Sequence, residues 1–174
     1  SGVRLGPLAY MKRPDTRLYF DREDGQQVGM TFFPEQKVVA FSRRTTEGTF
    51  ESRAVITGET GTPEQLWVIV KRTINGATKR YVELVESEHE GLSDRAWTSL
   101  QTDSAIVLTG LTGTTLTVAH LEGKTVAVVK NGSNLGEHVV TGGVVTLAEA
   151  LVVGDVCEVG LPYDSTVTTM RPAV

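Results

Sequence analysis

The chain has 174 residues, 40% of them hydrophobic, and a formal net charge of -4. That is enough apolar material for one domain or two small ones and too much for a disordered tail, while the acidic balance argues against a general nucleic-acid binder, which must neutralise phosphates with a basic surface. Cys157 is the only cysteine, so an intrachain disulfide is excluded and nothing in the thiol count points to an oxidising compartment.

The first residues lack the apolar core of a secretion signal, and no window holds the roughly 18 uninterrupted apolar residues of a membrane helix. Ser1-Gly2 has the form a protease leaves after removing a tag, so a piece excised from a larger protein is expected. Arg17 to Phe20 and Gln26 to Phe33 are apolar-rich and bracket Glu23-Asp24-Gly25, a hairpin turn. Lys37 to Arg44 and Thr49 to Ile56 repeat the pattern around Thr45 to Gly48. These four segments are expected to form one meander.

The block from Glu64 to Glu83 writes a complete hairpin. Leu66 to Arg72 is rich in β-branched and aromatic residues, Asn75-Gly76 supplies the positive backbone angles of a tight primed turn, and Lys79 to Val85 returns along the first strand. It should extend the meander through the Gly58–Pro63 loop, with Trp67 facing Tyr81 in the core. Val38 to Arg44 and Trp67 to Arg72 both run from apolar residues into a basic pair before a turn, an echo that suggests adjacent sheets or propeller-like blades.

Composition shifts at Glu86 to Ala96, where Glu86, Glu88, Glu90 and Asp94 crowd together, and a module boundary is expected there. Beyond it, Ala105 to Leu108, Thr115 to Val118, Thr125 to Lys130, His138 to Val140, Val144 to Leu147 and Val156 to Val159 read as short strands separated by turns such as Asn131-Gly132 and Gly142-Gly143. Such spacing favours a small SH3-like β-barrel. The expected fold class is therefore all-β. Residues 1–97 form an antiparallel meander or propeller-like module, 98–165 a small β-barrel module, and 166–174 a tail or truncated strand.

Residues that could carry chemistry have bland counterparts. His89, His120 and His138 with Cys157 lack the short spacings of a zinc motif, so no metal is expected; His120 reads as a turn-packing residue and Cys157 as a small hydrophobe inside an apolar strand. Carboxylate pairs such as Asp21 with Glu23, or Glu86 with Glu88, read as solvated turn acids and not as a glycosidase pair. Thr45, Ser52, Ser104 and Ser165 stand in no nucleophile-elbow pattern. The most informative polar groups are the basic pairs Arg43-Arg44, Lys71-Arg72 and Lys79-Arg80, candidates for contacts with a neighbouring subunit or with passing DNA; the plainer reading is that they blunt strand ends against aggregation. No catalytic residue and no cofactor is expected.

The order of the segments carries a family resemblance. Gly29 to Arg44 (Gly-Met-Thr-Phe-Phe-Pro-Glu-Gln-Lys-Val-Val-Ala-Phe-Ser-Arg-Arg) is followed by Thr46 to Ser52, Ala54-Val55-Ile56, the Glu64 to Glu83 hairpin, His120 to Val128 and Val159 to Ser165. Over roughly residues 17 to 172 this resembles the middle and C-terminal part of tail tubular, or nozzle, proteins of short-tailed bacteriophages and prophages. Phe41 and Ser42 stand where that family usually has Trp followed by His or Arg. The C-terminal module also resembles the small β-barrel in the first catalytic cysteine half-domain of ubiquitin-activating enzymes, which implies fold and not ligation chemistry, since no Gly-rich phosphate loop is present.

The resemblance implies a non-enzymatic structural protein of the virion tail, assembled in the bacterial cytoplasm. Copies would form a ring, a hexamer in the full protein, next to other tail and adaptor proteins, with DNA passing through a modestly acidic bore without specific binding and with no membrane span. A rival from another class is a host-surface or glycan-binding module of a tail protein, using loops such as Gly58 to Pro63 and Gly110 to Thr114.

Overall fold

The computed structural model describes residues 3–58, 63–86 and 100–166. Thirteen strands follow one another in this part of the chain, with two single-turn 3-10 segments at Pro34–Gln36 and Ala119–Leu121. The all-β class is as expected from the alternating, β-branched sequence. Every ladder is antiparallel, because short turns join most neighbours.

The first sheet runs in chain order: β1 (Leu5–Met11), β2 (Arg17–Arg22), β3 (Gln27–Phe33) and β4 (Val38–Arg44). Strand β1 was not legible in the sequence. It carries Pro7 and a register irregularity between Leu5 and Leu8, both tolerable because β1 is an edge strand. The meander then breaks. Strand β5 (Thr49–Ile56) does not pair with β4, as the single continuous meander required, but joins β6 (Gln65–Ile74) and β7 (Ala77–Val85) in a separate three-stranded sheet.

The two sheets pack face to face. Met11 and Tyr19 of the first meet Leu66, Val68 and Val70 of the second, with Ala9, Phe50, Val55 and Val85 partly buried around them. Arg53 of β5 reaches across, donating from Nε to the Tyr19 carbonyl at 2.9 Å and pairing with Asp21. Asp21 is thus a buried ion-pair member and not the solvated turn acid that its sequence context suggested.

At the tip of the β6–β7 hairpin Asn75 and Gly76 have φ of 47° and 72°, the primed turn expected, and the tips at Asn131-Gly132 and Gly142-Gly143 repeat it. Register pairs Trp67 with Leu84 and Val70 with Tyr81. Trp67 and Tyr81 therefore lie on opposite faces of the hairpin, and only Tyr81 turns inward. Side chains alternate strictly, so an odd offset between residues assigned as partners exchanges faces.

The remaining strands are β8 (Asp103–Thr109), β9 (Gly113–Thr117), β10 (Thr125–Lys130), β11 (Ser133–Val139), β12 (Val144–Leu151) and β13 (Val156–Leu161). They form a four-stranded sheet in the order β11-β10-β13-β8 and a β12-β9 ribbon. Among the described residues the ladder does not run full circle, so the module is an open roll and not the closed barrel expected. Its core holds Leu116, Val118, Leu121, Val126, Val128, Val145, Val159 and Leu161 with Cys157.

Ile74 of β6 belongs to this second core, and Tyr81 of β7 packs against it. One face of β6 thus serves both cores: Leu66, Val68 and Val70 the first, Ile74 the second, with Arg72 between them. Most of the module boundary expected at Glu86 to Ala96, with His89, and most of the tail from residue 166 lie outside the described residues, as do residues 59–62 of the Gly58–Pro63 loop.

Candidate functional site

Two features stand out once the sheets are in place: a buried polar joint centred on Arg72, and apolar outer faces on both sides of the stacked sheets.

Parity sets the joint. Lys71 and Arg72 are neighbours in sequence and so point to opposite faces of β6, and Arg72 shares the inner face with Leu66, Val68, Val70 and Ile74. It is only 1% exposed. Its Nε donates to Glu83 Oε1 at 3.2 Å, and Nη2 donates to Glu83 Oε2 at 2.9 Å and to Asp103 Oδ1 at 3.4 Å. Nη1 donates to Thr46 Oγ1 at 2.5 Å and to the Glu47 carbonyl at 2.9 Å. All five guanidinium N–H groups therefore have acceptors, the condition under which a buried cation is tolerated.

The acceptors come from three places in the chain. Thr46 and Glu47 lie in the β4–β5 loop, Glu83 on β7, and Asp103 at the start of β8, where Ser104 adopts φ 51°. Thr46 Oγ1 donates onward to Asp103 Oδ2 at 2.5 Å, and Ser104 Oγ donates to Glu83 Oε1 at 2.9 Å. Next to this cluster Tyr81 Oη donates to the His120 carbonyl at 2.9 Å, His120 Nε2 lies 3.0 Å from the Ser104 carbonyl, and Lys124 pairs with Glu47. Burial raises the Tyr81 phenol above its ordinary pKa.

Ser104, His120 and Glu83 come together here, which the sequence did not foretell, but their bonds are not those of a nucleophile and its base. The hydroxyl donates to the carboxylate, and the imidazole meets a backbone carbonyl, which can only accept, so Nε2 carries the proton. The cluster is arranged as a clasp between the N-terminal sheets and the C-terminal roll. Its sequence signal was available: Arg72 shares the parity of four apolar β6 residues.

The other basic candidates have separate settings. Arg80 Nε donates to Glu51 Oε2 at 2.7 Å and Lys71 Nζ lies 3.4 Å from Glu51 Oε1, so one carboxylate holds two cations and its pKa is lowered, chiefly by the Arg80 bond. The Arg44 guanidinium sits 5.7 Å from the Tyr19 ring centroid, within cation–π range. Arg43 and Lys79 are exposed at strand positions on β4 and β7. The six residues are thus not gathered into one basic surface.

The outer faces follow from the register. Across β1–β4 one rung reads Tyr10, Leu18, Met30, Phe41; the next reads Leu8, Phe20, Val28, Arg43; a third pairs Phe32 with Val39. This face points away from the second sheet, and Phe41 is 69% exposed. The far side of β5–β7 carries a rung of Ala54, Trp67 and Leu84 beside one of Ser52, Ile69 and Val82, with Val82 also 69% exposed. An antiparallel sheet with one solvated side normally alternates apolar in, polar out. Here each sheet carries contiguous apolar rungs on the side turned away from the other, bordered on β5–β7 by the Lys71, Arg80 and Glu51 group.

Elsewhere, Cys157 is fully buried and burial raises its thiol pKa, as expected for an inert core residue. His120 lies in the 3-10 turn at Ala119–Leu121, and among the described residues no three His, Cys, Asp or Glu side chains converge on a metal-sized site. A depression of about 190 Å³ opens between Gln101, Asn134, Glu137 and Tyr163, below the usual size of a ligand pocket. No family model matches the chain, and no curated protein matches it in sequence.

Proposed function

We propose that this chain is a non-enzymatic wall segment of a multi-copy assembly, the tubular tail or nozzle of a short-tailed bacteriophage or prophage. The observation that carries the reading is the pair of apolar outer faces: a stacked two-sheet unit that stays apolar on both sides is built to be covered on both sides. The arrangement of charge supports it as well. Arg72, Glu83, Asp103, Lys124 and Glu47 are used to weld one module to the other, which gives stiffness and not reactivity. The phage setting rests on the ordered resemblance from Gly29 to Ser165.

In that role copies form a ring, a hexamer in the full protein, adjoining other tail and adaptor proteins. The net negative charge lets DNA slide past without adhesion, and Arg43 and Lys79 serve as peripheral contacts. Negative-stain electron microscopy of the full protein tests this, with closed rings expected. A protein that stays monomeric at every concentration and in the company of the neighbouring tail proteins refutes it. The glycan-binding alternative predicts selective signals on a glycan array, which the assembly reading does not.

A further inference from the structure

We infer that copies of this chain associate head to tail through their sheets, the outer face of β1–β4 in one copy stacking on the outer face of β5–β7 in the next. This rests on the assembly reading and names its contact.

Coverage is the first argument. The two apolar faces lie on opposite sides of the same pair of stacked sheets, one centred on Met30 and Phe41, the other on Trp67 and Val82. A two-fold contact joining like faces covers one and leaves the other in water. Joining unlike faces covers both with one kind of contact, repeated from copy to copy until it closes or continues. It also repeats the arrangement already present inside the chain, where the inner faces of the same sheets pack through Tyr19 and Val68.

Area is the second. Two rungs across four strands and a third across two, with strands about 4.8 Å and rungs about 6.7 Å apart, make the β1–β4 face about 300 Å² in plan. A stable specific pair buries about 800 Å² on each partner. A single stack is therefore a weak contact. A copy inside a closed ring makes two, which favours closure over isolated pairs. The chemistry of the face favours another sheet over a polar ligand, since its rungs offer Tyr10, Arg43 and otherwise only hydrocarbon and the Met30 thioether.

Sedimentation velocity on the 174-residue chain over rising concentration tests the inference, using Phe41→Glu and Val82→Glu, each at a side chain exposed in the single copy. Far-UV circular dichroism verifies folding, and Tyr10→Glu with Leu84→Glu provides a second pair. The unmodified chain should grow in mean mass with concentration. Each variant alone should stay monomeric, and the two mixed should give a 1:1 dimer and nothing larger, because each retains the face the other has lost. Dimers formed by either variant alone mean that like faces meet, and they overturn the head-to-tail contact. Association that neither substitution weakens overturns the contact while leaving the assembly reading intact. An unmodified chain that never associates overturns the contact, whereas the assembly reading falls only if the full protein forms no rings.

Discussion

Arg72 stands where two apolar cores meet, and burying a guanidinium there carries a desolvation penalty of several kcal/mol that only well-placed acceptors offset. Glu83 and Asp103 supply opposite charge, while Thr46 and the Glu47 carbonyl satisfy the remaining donors. Arg72→Met removes the cation but leaves Glu83 behind, so it should destabilise the fold by about 3–5 kcal/mol, read as a lower urea midpoint at unchanged slope. Adding Glu83→Gln should recover part of that loss, since the orphaned charge is then gone. Arg72→Lys should fall between, because an ammonium has three donors where the guanidinium has five in a fixed fork. A cost below about 1 kcal/mol for Arg72→Met would mean that the joint does not hold the modules together.

At the scale of elements, two glycines beside strand β6 separate backbone strain from crowding. Gly76 has φ 72° with open space where a Cβ would go, so Gly76→Ala should cost about 1–2 kcal/mol, the left-handed penalty alone. Gly48 has φ 148°, and a Cβ there would lie 2.4 Å from the Lys71 carbonyl oxygen. Gly48→Ala should therefore cost several times more, since the loop must move and take the Glu47 carbonyl away from Arg72. Equal urea midpoints for the two variants would contradict the close packing of this loop. The hairpin tips and most strand bounds were legible because turn chemistry and alternation are local. Thr49–Ile56 and Thr125–Lys130 came out at their expected limits. Sheet membership was not legible, since nothing local in Arg44 to Thr49 says whether β5 pairs back on β4 or leaves it. The burial of Arg72 was in the parity of β6, but Lys71-Arg72 looks like any basic pair at a strand end until Ile74 is counted with the apolar face. The outer faces were hidden for a related reason: runs such as Phe32-Phe33 and Val38-Val39 are apolar at both parities, which marks a strand without saying which side is covered.

For the whole molecule, the question is whether the N-terminal sheets and the C-terminal roll unfold as one. Two cores, and a composition shift between them, suggest two independent units in which the N-terminal half is the weaker. The packing argues for one. Ile74 is part of the C-terminal core, Tyr81 is anchored to the His120 carbonyl, and the Arg72 cluster ties Thr46, Glu83 and Asp103 together. Losing the N-terminal sheets would strip the roll of Ile74 and expose the side of the core it covers, so the roll should not outlast them. Two native probes can follow the two cores in one urea titration. Trp67 sits on β6, the strand whose inner face serves both cores, and with Trp97→Phe it becomes the sole fluorescent indole of the chain. Cys157 lies in the core of the roll, and its buried thiol with a raised pKa should react with an aromatic disulfide reagent only after that core opens. The fluorescence change and the onset of thiol labelling under brief exposure should share a single midpoint. In Arg72→Met they should separate, with the indole responding first, because the clasp that makes the two cores cooperative has been removed. Separate midpoints in the unmodified protein would show the modules to be uncoupled and the joint to be a surface contact without mechanical consequence.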